Sequence, residues 1–208
     1  WEPLLDAKFG PYADHVAASW LWARLYKRTS RLGYFQGGFA TIINALETAI
    51  KRQGGVIQTR AAIQEIRKKK AKFIVQDTAF DAVLFTVPSP IAASLGKFDK
   101  QYTDKLCAIP HLWAQTLILE TTKPVLDKTY WLNINERNFP FLAVVQHTNL
   151  IDQAHYNGHH IVYIGNYLQD HHPYLGKTKE ELLALFLPYL KKINPHVNAK
   201  FVILNSFL

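Results

Sequence analysis

The sequence predicts an α+β fold, with a mixed, largely antiparallel sheet of about five strands, flanking helices and a smaller, separate β piece. Three observations carry this. Apolar residues recur at helical spacing in the first fifty positions. From Val56 the pattern shortens to brief extended pieces. After Trp113 several extended runs follow one another, separated by Pro, Asn and Gly, before a capped helix near the C-terminal end.

Pro11 and Asp14 stand where a helix begins, and Ala13, Val16, Ala17, Trp20, Leu21 and Leu25 form its apolar stripe, with Arg24, Lys27 and Arg28 near its end. A second helix follows Gly37-Gly38 and runs to about Gln53. Phe39, Ile42, Ile43, Leu46 and Ile50 share one face, Glu47 and Lys51 pair at four-residue spacing, and Gly54 can take the left-handed C-terminal conformation. Val56–Thr59, Ala62–Lys68 and Lys72–Gln76 then read as short extended pieces. Asp81–Val87 contains four apolar residues in succession, which suits a strand buried on both faces, although a buried helical turn gives the same pattern. Pro88 and Pro90 end it.

A helical link, Ile91–Leu106, leads to strands at Trp113–Glu120, Tyr130–Ile134, Phe141–His147 and Ile161–Tyr167, for which an antiparallel meander is the expected arrangement. Thr178 and Glu181 form a capping box before Leu182, Leu183, Phe186 and Leu190. Pro188 lies inside that pattern and predicts a kink, or two helices meeting near Leu187. Lys200–Leu208 reads as one more strand.

With 49% hydrophobic and 13% aromatic residues, the chain can bury one large core or two small ones. It has no apolar run long enough for a membrane span and no signal segment at its start, and a single cysteine, Cys107, excludes an internal disulfide framework. These features lead to the expectation of a cytoplasmic protein. Lys and Arg exceed Asp and Glu by 24 minus 16, giving +8, but the charge is dense only around Arg67–Lys70 and Lys72, which reads as the solvated turn of a hairpin. Nucleic acid is therefore not the expected partner. The chain starts at Trp1, has no methionine and stops within an apolar run, so it is expected to be a piece of a longer protein.

Few residues carry obvious chemistry. No Gly-x-Gly-x-x-Gly turn or Gly-x-Ser-x-Gly elbow is present. The pairs His159-His160 and His171-His172 put neighbouring side chains on opposite faces of any strand, and no ligand spacing accompanies them, so no metal is expected. Cys107 lies near His111 but reads as a small apolar side chain. His147, with Thr148 and Asn149, ends a strand, where polar residues could face a pocket, although a strand-end turn is the expected use. Trp113, Trp131, Tyr156, Tyr163 and Tyr167 lie on or beside the later strands, as core or as the lining of an aromatic cage.

The order Tyr34-Phe-Gln-Gly-Gly-Phe, helix, Gln-Gly-Gly-Val-Ile, then a strand closed by Thr86-Val-Pro88 resembles the flavin-dependent amine oxidoreductases, the superfamily of amine oxidases, protoporphyrinogen oxidases and carotenoid desaturases. The resemblance implies FAD in the intact protein. It implies cofactor contacts at Gly37, Gly38, Thr86 and Pro88, and at Ile63, which with Ile66 replaces the family's Val-x-x-Ile pair. It divides the chain into a helical part of a substrate domain (1–33), a fringe of an incomplete FAD-binding domain that includes the small β piece (34–90), and the substrate-binding domain (91–208). Ile109-Pro110, the strand Ala114–Leu119 and Lys123-Pro124 resemble the first substrate-domain strand of amine oxidases, with Thr116 where many of those enzymes carry a lysine. A small-molecule substrate is then expected against Thr116, Trp131, His147 and Tyr163, and the missing FAD-binding segments of the same polypeptide are the expected partner. A non-catalytic basic module for an acidic partner and a flavin-dependent sugar-nucleotide mutase are the alternatives.

Overall fold

The structure, a computed structural model, describes residues 2–27 and 31–197 and the backbone of 203–207. In chain order the helices are α1 (Glu2–Phe9), α2 (Ala18–Tyr26), α3 (Phe39–Arg52), α4 (Ser89–Leu95), α5 (Lys100–Cys107) and α6 (Lys179–Ile193). The strands are β1 (Ile66–Lys69), β2 (Lys72–Val75), β3 (Thr78–Phe80), β4 (Trp113–Thr121), β5 (Trp131–Asn133), β6 (Ala143–Gln146), β7 (His160–Leu168) and β8 (Ile203–Phe207). The chain divides into two compact units, one formed by 1–32 with 111–208 and the other by 33–110.

The first unit is built on a five-stranded antiparallel sheet in the order β5-β6-β7-β4-β8. Only β5, β6 and β7 follow one another as a meander; β4 leaves its sequence neighbour and pairs with β7 along nine residues. The pairing joins two strands of equal length whose alternation matches throughout, which a pairing with the three-residue β5 would forfeit. Leu117, Leu119, Val144, Val162 and Ile164 point to one face and pack with Leu182, Phe186 and Leu190 of α6 in a single core. Those α6 residues recur every four positions, so one helix edge meets the sheet.

Helix α6 opens on the predicted capping box. Thr178 Oγ1 accepts from Glu181 N–H, and the Glu181 carboxylate accepts from Thr178 N–H. It continues through Pro188 as one helix rather than two. Pro188 forfeits one backbone bond, and the buried Phe186 and Leu190 on either side tie both halves to the same core. At the other end of the chain, the single predicted helix divides. Gly10 at φ +56 and Pro11 open a 3₁₀ turn after α1, and Val16 and Ala17 are extended before α2 begins.

The second unit holds α3, α4, α5 and the three-stranded antiparallel sheet β1-β2-β3. Helix α3 has the predicted bounds, and Gly54 at φ +80 follows its end. The predicted strand Asp81–Val87 is not in a sheet: the segment has no ladder partner among the described residues, and Leu84 is 87% exposed. An apolar run buries on both faces only where strands and helices flank it, and none does so here. Sequence reading also missed β3. Of the last predicted strand, Ile203–Phe207 forms β8, while 200–202 and Leu208 lie outside the described residues. No helix among the described residues is long and apolar enough to cross a membrane.

Candidate functional site

Side chains alternate across a strand, so the face of the five-stranded sheet opposite α6 is fixed once the core is known. On β4 that face carries Thr116, Ile118 and Glu120, and on β7 it carries Ile161, Tyr163, Gly165 and Tyr167. The ladders align these residues in rows. Trp131 of β5 stands opposite Val145 of β6, Val145 opposite Tyr163 of β7, and Tyr163 opposite Ile118 of β4. The next row contains Asn133, Ala143, Gly165 and Thr116. Three of the four predicted substrate residues, Thr116, Trp131 and Tyr163, therefore share one face. Thr116 also lines a shallow, open cleft of about 350 Å³ with Trp113, Ala114, Gln115 and Leu175. At the far end of the face α1 packs against β7, and Lys8 Nζ lies 4.1 Å from the centre of the Tyr167 ring.

His147 differs from the other three. It follows β6 in a 3₁₀ turn and is 5% exposed, so it does not offer an open edge to a ligand. Its Nε2 lies 2.6 Å from the Tyr156 hydroxyl, and its ring meets Tyr163 edge-on at 5.5 Å. It is thus a buried prop behind the Tyr163 ring.

The loop before β7 delivers two groups to this region. Asp152 caps a short turn by accepting from Ala154 N–H, Asn157 sits at φ +55 and Gly158 at φ +79, and His159 N–H donates to Tyr156 O. This fixed bend directs Tyr156 to His147 and His159 to Glu120, with His159 Nδ1 2.6 Å from Glu120 Oε1. The next residue, His160, turns instead to the Thr148 hydroxyl. Glu120 and His159 were missed by sequence reading. The alternation of β4 already places Glu120 on the face of Thr116, whereas its contact with His159 spans 39 residues and depends on tertiary folding.

Burial holds the His147 imidazole below its usual 6.5, and burial together with neighbouring His159 does the same for His160. Both groups bind protons less readily folded than unfolded, so their contribution to stability is present above pH 6.5 and is lost on acidification. The melting temperature should fall between about pH 7 and about pH 5, and a His147→Asn, His160→Asn double variant should lose less across that window. Parallel curves for the two proteins would contradict this assignment.

The predicted cofactor residues all belong to the second unit. Gly37 and Gly38 both have φ +82, and Gly38, with ψ −177, occupies a region that only glycine adopts readily. No side chain caps α3 at Gly38, while the Thr41 hydroxyl folds back over Gly37 and donates to Gln36 O. A Cβ on Gly38 would meet nothing within 4 Å, so the turn is open at that point. Such a turn suits close approach of a flat or anionic group. Ile63 is half-buried ahead of β1, Thr86 lies in the extended segment, and Pro88 precedes α4. The pyrophosphate-binding glycine turn is not among these 208 residues.

The fold defines a class: an α+β architecture in which one side of an antiparallel sheet is buried by a helix. The chain belongs to the flavin containing amine oxidoreductase family, whose description it matches over residues 4–205. An oxidoreductase from Methanosarcina mazei is similar at 22% identity with a TM-score of 0.64, covering 83% of this chain and 42% of that one. A provisionally named protoporphyrinogen oxidase from Exiguobacterium sp. 255-15 is similar at 17% identity with a TM-score of 0.61, covering 82% of this chain and 38% of that one. Reduced UDP-galactopyranose mutase is similar at 13% identity with a TM-score of 0.62, covering 98% of this chain and 46% of that one. These likenesses are of fold, and the chain spans less than half the length of each structure. No curated protein matches the sequence.

Proposed function

We propose that the chain forms the substrate-binding portion of an FAD-dependent oxidoreductase and presents a C–H or C–N centre for hydride transfer. The observation that carries this is the shared open face of Thr116, Trp131 and Tyr163, backed by a core that fixes their alternation. The flavin, when bound, supplies the hydride-accepting chemistry. Within the chain, Trp131 and Tyr163 orient an apolar substrate body, His147 props the Tyr163 ring, and Thr116 offers a hydroxyl. Gly37, Gly38, Ile63, Thr86 and Pro88 contribute backbone and small surfaces toward the cofactor.

The exposed stripe Phe39, Ile43, Leu46 and Ile50 of α3 and the unpaired Leu84 support the same reading, because they suit burial beneath flavin-binding segments of the same polypeptide. Arg137, the sole arginine after Pro88, is engaged by Asp6 and Glu2 in the first unit, so a mutase-like diphosphate site is not the favoured reading. The test is the visible spectrum of the full-length polypeptide purified with its cofactor. A flavin band near ~450 nm is expected, and a colourless, correctly folded protein that takes up no flavin would defeat the assignment.

A further inference from the structure

The open face has a polar end that the assignments above leave unused. Glu120 lies two residues beyond Ile118 on β4, and its ladder partner Ile161 lies two residues before Tyr163 on β7. Its side chain is only 19% exposed, between Ile161 of β7 and the Asn205 position of β8 in the ladders, with Ile118 and Tyr163 in the next row. A carboxylate so placed requires a fixed partner, and His159 Nδ1 provides it at 2.6 Å. That contact orients the ring: in the neutral imidazole that donates Nδ1–H to the carboxylate, Nε2 carries the lone pair and faces away from Glu120. The side chain of His159 is 35% exposed, so it is held firmly yet still reaches the surface.

We propose that His159, oriented by Glu120, is a ligand-binding group that accepts a hydrogen bond from the O–H or N–H of a small molecule whose flat apolar body lies over Tyr163 and toward Trp131. The proposal rests on the open face being the substrate side. His159 lies four residues before Tyr163, about 13 Å along the chain, but its imidazole reaches Glu120, whose ladder row is two residues, about 6.7 Å, from the row of Tyr163, so a single substituted ring spans the gap between them. Aromatic side chains favour a flat apolar body, and one oriented acceptor at the end of their row selects against the same body without a donor.

The experiment titrates the whole 208-residue chain with 4-methylphenol and with its O-methylated analogue 4-methylanisole, followed by NMR of the Trp131, Tyr163 and His159 side chains. The phenol should shift all three and bind about tenfold more tightly than the ether, one oriented hydrogen bond. His159→Phe should abolish that preference while the Trp131 and Tyr163 shifts persist. Glu120→Gln, with the imidazole still present, should reduce it, which a merely structural role for Glu120 would not do. Equal binding of the two probes to the wild type, with Trp131 and Tyr163 shifting, would overturn the proposal and leave the substrate-face reading intact. An undiminished preference in His159→Phe would overturn it as well. Failure of both probes to shift Trp131 and Tyr163 would overturn both.

Discussion

Replacing Gln146 by leucine is expected to lower the stability of the first unit by roughly 2–6 kcal/mol, although the two side chains are similar in size. Gln146 is fully buried at the end of β6. Its Oε1 accepts from the backbone N–H groups of Val125 and Leu126, and its Nε2 donates to the Thr148 hydroxyl. Leucine would leave both amides buried without an acceptor, each costing about 1–3 kcal/mol. The same segment is tied again by Asn149, which donates to the carbonyls of Leu126, Asp127 and Thr129. Urea unfolding monitored by circular dichroism measures the effect. Because Gln146 immediately precedes His147, the variant should also loosen the Tyr163 prop, seen as a changed Tyr163 ring signal. An unchanged unfolding midpoint would show that water takes over the role of Oε1.

Phe186→Ala should cost roughly 3–5 kcal/mol by a different route, the loss of buried apolar contact together with the cavity left behind. Phe186 is 1% exposed in α6 and packs edge-on against Phe141 at 5.3 Å and Tyr174 at 5.9 Å. These contacts bring the helix, the segment leading into β6 and the turn after β7 together at one ring. Phe186→Leu should recover much of the loss by refilling the space. If the alanine variant unfolds at the wild-type urea concentration, α6 is not what secures the sheet.

Local signals made much of this architecture legible. Thr178 and Glu181 marked the start of α6, and Gly37-Gly38 marked the start of α3, because capping is settled within a few residues. The strands β4, β6 and β7 were readable from their composition and punctuation. The place of β4 beside β7 was not, since nothing in a strand's own sequence names a partner some forty residues away. Asp81–Val87 shows the converse: an apolar run states a capacity to be buried, and the surrounding chain decides whether that burial occurs. Of the candidate site residues, Trp131 and Tyr163 were singled out by residue type and Thr116 by the family resemblance, but only the ladders show that they share a face. Glu120 and His159 escaped because neither residue is informative without the other.

The matched alternation of β4 and β7 has a further consequence. A slip of one position in β7 would turn Tyr163 inward and push Ile164 outward, spoiling the open face and the hydrophobic interior in a single movement. The open face of such a scaffold can be retuned one side chain at a time, but not by sliding a strand, because the interior acts as the ruler against which every outward-facing residue is placed.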